Sequence, residues 1–176
     1  MDAIIMEGTR MRAGAVGAVT EVASPVSLSR KIMEQSDHVL LIGAGAHQFA
    51  QNSTAKRREE LEIPNGRAGG FADDFIGVVS TTGHGEAIMR VCLFRHITGL
   101  MQQGMSAHDA VVAGLEYMKN RVQGYGGAIC VSNSGDIGVH FTTEHMAWGY
   151  RKGNVIHFGF RPNEDISDVV QIDCSP

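Results

Sequence analysis

The sequence from residue 75 to residue 86 reads Phe75-Ile76-Gly77-Val78-Val79-Ser80-Thr81-Thr82-Gly83-His84-Gly85-Glu86. The apolar run Phe75–Val79 predicts a β-strand, and an amphipathic pattern that begins at Glu86 predicts a helix. The small residues between them predict a turn in which glycine lets the backbone approach a ligand closely. Because the first N–H groups of a helix attract negative charge, this turn indicates a cradle for an anion or oxyanion. A purely structural strand-to-helix turn explains the local pattern equally well.

The surrounding sequence favours the cradle, because the whole string from Gly69 to Glu86 resembles the plant-type asparaginase and isoaspartyl peptidase family. Members of that family are N-terminal-nucleophile threonine hydrolases. The resemblance continues upstream and downstream, through Met1–Gly8, Arg12–Val16, Pro25–Glu34, His38–Leu41, Gly114–Met118, Tyr125–Ile129 and Met146–Trp148. It implies an α/β fold, the αββα sandwich, in which helices cover two sheets packed face to face. It also implies amide hydrolysis of L-asparagine and β-aspartyl dipeptides.

The family's nucleophile has no counterpart in this sequence. It is a threonine that follows glycine in a Gly-Thr-Val-Gly-Ala-Val-type string, and nothing between Ala50 and Ala68 resembles it. The same absent block should contain a second active-site threonine and a Gly-Arg-x-Gly-Asp loop that binds substrate. The family's opening segment, before the register of Met1, is absent too. We therefore expect a shortened form, a splice product or fragment, that is inactive on its own.

Two short strings imitate parts of the missing block. Gly8-Thr9 has the dipeptide at which the family cleaves itself, but Thr9 is followed by Arg10 rather than by a small-residue strand, which indicates a surface turn. Gly66-Arg67 imitates the start of the substrate-binding loop, yet no Gly-Asp follows it, so Arg67 is expected to be a solvated junction residue.

The site residues expected by resemblance are Thr82, Gly83, His84 and Gly85. The Thr82 hydroxyl and the Gly83 backbone N–H correspond to the oxyanion stabilisers, and Gly85 to a position that holds the substrate's α-amino end. For His84 the family uses the backbone, so its side chain is expected to be structural. The predicted ligand, bound weakly at most, is L-asparagine or a β-aspartyl dipeptide.

Two other functions stay open. Loss of central strands would leave unpaired edges and uncovered apolar faces, so the chain could be a non-catalytic subunit that associates with itself or with full-length family members. A more remote alternative is a dinucleotide-binding module, because Gly43-x-Gly45 follows an apolar run, although Gln48 stands where that fingerprint needs glycine or alanine.

Composition indicates an ordinary globular protein. Of the 176 residues 43% are hydrophobic and 19% charged, with a net charge of −4, which excludes a disordered chain and a basic nucleic-acid surface. Three well-separated cysteines indicate reduced, mostly buried thiols rather than disulfides or a zinc site. No cofactor or metal is expected, and His140 and His145 are expected to be solvated or at the core edge. With no apolar run long enough to span a membrane, we expect a cytoplasmic protein.

One domain is expected over residues 1–176, made of an α-subunit-like region at 1–51, a junction at 52–67 and a β-subunit-like region at 68–176. Ser24-Pro25 predicts a helix start, and Ser106 with Asp109 predicts another. We further expect a buried strand at His38–Ile42 and one long helix from Ile88 to Met101. Strands at Gly126–Val131 and Ile137–Phe141 should form a hairpin, followed by a strand at Val155–Phe160.

Overall fold

The computed structural model describes residues 1–52 and 68–170. The first segment contains strands β1 (Ala3–Met6), β2 (Ala13–Gly17) and β3 (Leu40–Ile42) and helices α1 (Pro25–Gln35) and α2 (Gly43–Asn52). In its sheet β1 is antiparallel to β2, and β2 is parallel to β3. The parallel pair needs a crossover, which α1 provides. Both helices pack on the sheet around a core of Val16, Val19, Leu28, Ile32 and Ala46.

The second segment opens with a four-stranded antiparallel sheet in the order β4-β5-β6-β7. Its strands are β4 (Ala68–Asp73), β5 (Gly77–Gly83), β6 (Gly126–Ser132) and β7 (Ile137–Phe141). Between β5 and β6 the chain forms helices α3 (Gly85–Val91), α4 (Leu93–Gln102) and α5 (Ala107–Val122). These helices cover one face of the sheet, and the sheet residues Val79, Ala128 and Cys130 are buried beneath them. The mixed helices and sheets confirm the α/β class.

A third sheet of three antiparallel strands completes the described residues. It contains β8 (Trp148–Lys152), β9 (Val155–Gly159) and β10 (Ile166–Val169), with β9 in the centre. The predicted strand at Val155–Phe160 corresponds to β9, one residue shorter. The predicted hairpin is confirmed as the pair β6 and β7.

Both predicted helix starts are confirmed. The Ser24 hydroxyl accepts a hydrogen bond from the Ser27 N–H at 3.2 Å, and the Ser106 hydroxyl accepts one from the Asp109 N–H at 3.1 Å. Each serine thereby satisfies one of the backbone donors that a helix start leaves unpaired. Helices α4 and α5 pack side by side.

Three expectations about these elements are wrong. The strand expected at His38–Ile42 is only β3, and it is largely exposed, because β3 is an edge strand with one described neighbour. The long helix is broken at Cys92, which adopts a left-handed conformation (φ 47°) between α3 and α4. The same break exposes the Cys92 thiol, so the expectation of mostly buried thiols fails there.

The two described cysteines should differ sharply in reactivity. Cys130 is buried and its thiol donates to the carbonyl oxygen of Ala107 at 3.3 Å, and burial raises the pKa of that thiol to about 11. Because only the thiolate reacts, iodoacetamide at pH 8 should label Cys92 in the native protein and Cys130 only in denaturant. Peptide-resolved mass spectrometry checks this, and equal native labelling of both would contradict the packing of β6 on α5.

Within residues 1–52 and 68–170, no helix combines the length and the apolar character needed to cross a bilayer.

Candidate functional site

The candidate site lies where β5 ends and α3 begins. Side chains along β5 alternate: Val79 and Thr81 are buried toward the helices, and Thr82 points to the opposite, exposed face. In register, Thr82 lies between Ala68 of β4 and Gly127 of β6. Its hydroxyl forms no hydrogen bond with another described residue, which leaves it able to donate to a ligand.

The expected boundaries of this strand and turn are wrong. Strand β5 begins at Gly77 rather than at Phe75, because residues 74–76 form the turn from β4, in which the Asp73 side chain accepts from the Phe75 N–H at 3.0 Å. Its other end extends through Gly83, so Ser80 to Gly83 form a strand rather than a turn. The reason is that β4 and β6 pair with β5 along this stretch.

Gly83 is the point at which a side chain cannot be accommodated. Its φ is +123°, a value that L side chains rarely adopt. A Cβ atom there would lie 2.4 Å from Gly126 Cα and 2.7 Å from the Tyr125 carbonyl oxygen. The backbones of β5 and β6 are therefore in direct contact at the site, and this contact fixes the position of the Gly83 amide.

His84 connects the strand to the helix through its backbone. Its N–H donates to the Tyr125 carbonyl oxygen at 2.9 Å, and its own carbonyl oxygen accepts from the N–H groups of Ala87 and Ile88 at 3.0 Å. Helix α3 thus begins at Gly85, which is buried, one residue before the expected Glu86. The imidazole is half-exposed, with Nε2 3.7 Å from a Glu86 carboxylate oxygen.

The four expected site residues are consecutive, and the structure adds neighbours that sequence reasoning did not assign to the site. These are Tyr125, Gly126 and Thr142. The Thr142 hydroxyl accepts from the Gly126 N–H at 3.1 Å and so ties the start of β6 to the end of β7. The glycines at 124, 126 and 127 were the available signal, because such a cluster indicates close backbone approach.

The structure describes Gly8-Thr9, one of the two strings that imitate the missing block, and also His140 and His145. Thr9 lies in an exposed bend between β1 and β2, where its hydroxyl donates to Asp74 at 2.7 Å, so the predicted surface turn is confirmed. Gly66-Arg67 lies outside the described residues. His140 is half-buried, and His145 is exposed and stacks on Phe160 at 4.8 Å.

The described residues contain no group of three or more metal-ligating side chains. In the alternative dinucleotide site, Gly43 (φ +53°) is the first residue of α2, and apart from chain neighbours and the helix's own backbone no atom of residues 1–52 or 68–170 lies within 4 Å of where a Cβ on Gly43 or Gly45 would stand. These glycines therefore leave open space at the helix start, and the dinucleotide module stays a prediction.

The sequence was compared with known proteins. The family model described as Asparaginase matches residues 1–67 and 63–159. An isoaspartyl peptidase/L-asparaginase of Xenopus laevis is 34% identical over 225 residues, which cover 94% of this chain and 73% of the relative. A protein of the same name from Homo sapiens is also 34% identical, covering 93% and 73%. The Danio rerio protein of that name is 30% identical, covering 97% and 75%.

The alignment with the Xenopus protein leaves part of that protein unmatched. It spans 225 residues, but 94% of this 176-residue chain is about 165 residues, so about 60 residues of the relative have no counterpart here. The two segments matched by the family model meet at residues 63–67, within the expected junction. The chain therefore belongs to the asparaginase family, in a form shorter than its relatives.

Proposed function

We propose that this chain is a hydrolase of the isoaspartyl peptidase/L-asparaginase type that is catalytically inactive on its own. Two observations carry the proposal: about 60 residues of the Xenopus relative have no counterpart in this chain, and the two family-model matches meet at residues 63–67, within the junction where the resemblance implies the nucleophilic threonine. The retained part is the opposite side of the pocket, at Thr82, Gly83, His84 and Gly85. A cytoplasmic location belongs to the same proposal, because the free thiols of Cys92 and Cys130 suit a reducing compartment.

The proposal includes an incomplete αββα sandwich. Helices α1 and α2 pack on the sheet of β1 to β3, and α3 to α5 pack on the sheet of β4 to β7. A cavity of about 380 Å³ lies between β1 and the helix-free face of the larger sheet, lined by Ile4, Met6, Val78 and Ile129 among others. Two sheets packed face to face normally fill this space with side chains. A cavity there is what the loss of central strands would leave.

The retained groups can stabilise an oxyanion but cannot create one. A hydroxyl and a backbone N–H aimed at a developing negative oxygen each contribute roughly 10²–10³ in rate in enzymes that have a nucleophile. At this site those donors are the Thr82 hydroxyl and the Gly83 N–H. Without an attacking group, no tetrahedral intermediate forms for them to stabilise.

Hydrolysis assays test the proposal. The purified chain is incubated with L-asparagine, with ammonia as the readout, and with β-Asp-Phe, with phenylalanine as the readout. We expect neither product above the buffer background. Release of either product that scales with the concentration of the chain, and survives repurification, would overturn the proposal.

A second candidate function is that of a non-catalytic subunit. The observation that favours it is the edge strand β3 and the residue before it, where Val39, Leu40 and Ile42 are 58%, 51% and 58% exposed. Unpaired apolar edge strands are templates for pairing with another chain. The partner in this proposal is a second copy or a full-length family member.

We expect the purified chain to self-associate through β3. Size-exclusion chromatography with light scattering should give masses above the 18.9 kDa of the chain, and Ile42→Lys should increase the monomer fraction, because charged side chains block edge pairing. Val26→Lys is the matched control, since Val26 is 57% exposed but lies on α1 rather than on a strand edge. A monodisperse monomer that melts cooperatively would contradict the expectation.

A further inference from the structure

A second cavity, of about 340 Å³, lies between the edge strand β7 and the sheet of β8 to β10. Its walls include Val139 and Phe141 of β7 and Trp148 and Tyr150 of β8, and its rim is the loop from Arg161 to Asp165. None of its lining residues belongs to the candidate site at Thr82–Gly85. The volume is within the range of small-molecule sites, and the lining combines apolar walls with a polar and charged rim.

The aromatic wall of this cavity is held in place by its neighbours. The rings of Trp148 and Tyr150 lie 6.0 Å apart at 15°, and Tyr150 stacks on His157 at 4.7 Å and 9°. His157 in turn contacts a carboxylate oxygen of Asp165 through Nδ1 at 3.0 Å. Gly159 lies opposite Trp148, and a Cβ there would lie 2.8 Å from the indole, so only glycine lets the indole lie against β9. A wall fixed before binding reduces the entropy that a ligand must lose.

The charged side chains around the rim differ in whether they have hydrogen-bond partners. Glu164 accepts from the N–H groups of Arg161 and Phe160 at 3.0 and 2.7 Å, and these bonds, together with the nearby charge of Arg161, lower the pKa of its carboxyl. Asp165 is engaged by His157. The Arg161 guanidinium, in contrast, forms no hydrogen bond or salt bridge with a described residue. The Arg161 guanidinium therefore keeps donor capacity for a ligand.

Two histidines also line this cavity. His108 of α5 and His140 of β7 both line it, with ring centroids 6.3 Å apart. Burial, and then the neighbouring His108, lower the pKa of His140, against an opposing effect of Glu116. The lowered pKa favours the neutral form of His140, which can donate a hydrogen bond to a ligand without adding a fixed charge.

We propose that this cavity is a binding site for a small aromatic carboxylate, with the ring against Trp148 and Phe141 and the carboxylate on Arg161. The aromatic wall selects a planar apolar body, and a guanidinium suits a carboxylate because it donates two parallel N–H bonds. This inference does not depend on whether the chain hydrolyses amides.

Phenylacetate is the test probe and phenylacetamide its uncharged isostere. The chain contains a single tryptophan, Trp148, so tryptophan emission excited at a wavelength that neither probe absorbs reports on this cavity. We expect a saturable emission change with phenylacetate and at least roughly tenfold weaker binding of phenylacetamide, as a charge-assisted bond would give. Inorganic phosphate alone should bind more weakly than phenylacetate, because it has no ring. Equal affinities for phenylacetate and phenylacetamide, equal affinities for phenylacetate and phosphate, or no saturable change would overturn the proposal.

Arg161→Gln should remove the preference for phenylacetate over phenylacetamide. Arg151→Gln is the matched control, because Arg151 lies on β8 but its Nε donates to the Gly153 carbonyl oxygen at 2.8 Å and it does not line the cavity. Equal losses in both variants would show a general charge effect and contradict the site. If Arg161→Gln does not fold, as judged by circular dichroism, the comparison of phenylacetate with phenylacetamide on the unaltered chain tests the proposal by itself.

Discussion

No hydrolysis of L-asparagine or β-Asp-Phe by the purified chain is the expected result, even at high enzyme concentration and long incubation. Groups of a catalytic unit act together, so losing the nucleophile costs about as much as losing the whole unit, roughly 10⁶ in kcat in a well-studied hydrolase. The residual rate left in that hydrolase comes from its oxyanion hole together with substrate binding, and the resemblance places the substrate-binding loop in the missing block as well. A chain that keeps the Thr82 side of the site is therefore expected to be about 10⁶-fold slower than an intact relative.

The human relative, assayed in parallel, is the positive control, and Thr82→Ala is the diagnostic variant. If product does appear, its loss in Thr82→Ala would place the reaction at this cradle and show that another residue serves as nucleophile. Product that persists in Thr82→Ala at the same level, and follows the protein through repurification, would place it elsewhere on the chain. Either outcome would contradict the inactivity.

Gly83→Val is expected to destabilise the fold by more than about 3 kcal/mol, enough to unfold a marginally stable domain. Two costs add: a strained backbone conformation costs about 1–3 kcal/mol, and the new side chain would overlap the backbone at Gly126 and Tyr125. Because backbone atoms of a paired strand cannot move aside as a flexible side chain can, β5 and β6 would have to separate. Urea unfolding followed by circular dichroism measures the effect.

Gly99→Ala is the matched control for this variant. Gly99 lies inside α4, and outside its own helix backbone no described atom lies within 4 Å of where its Cβ would stand. Alanine is favoured over glycine inside a helix by up to about 1 kcal/mol, so Gly99→Ala should unfold at higher urea than the unaltered chain. Similar unfolding midpoints for Gly83→Val and Gly99→Ala would contradict the close contact of β5 with β6.

The parts of the fold that could be predicted from the sequence are those with local causes. Ser24 and Ser106 accept hydrogen bonds from residues three positions away, so the helix starts are written in short stretches of sequence. The hairpin of β6 and β7 follows from turn residues between two alternating strands. The position of the candidate site, at the end of β5, was likewise available from Gly83 and Gly85.

The parts that could not be predicted depend on distant neighbours. The extension of β5 through Gly83 requires pairing with β6, which lies about 45 residues further along the chain. The exposure of β3 reflects its edge position, which an apolar run such as Leu40–Ile42 does not reveal. The left-handed Cys92 interrupts an apolar pattern that continues on both sides of it. Tyr125 and Thr142 were missed at the site because they reach Gly83 and Gly126 only in three dimensions.

The most direct test of the account is intact mass spectrometry of the chain after mixing with excess L-asparagine and quenching in acid. Enzymes that use a nucleophilic side chain pass through a covalent acyl intermediate, here formed when that nucleophile attacks the side-chain carbonyl and ammonia leaves. We expect a single unmodified species of 18.9 kDa at every time point, because no nucleophile is present to be acylated. A species with an added aspartyl group, formed during the incubation and lost on dilution, would show a working nucleophile and contradict this expectation.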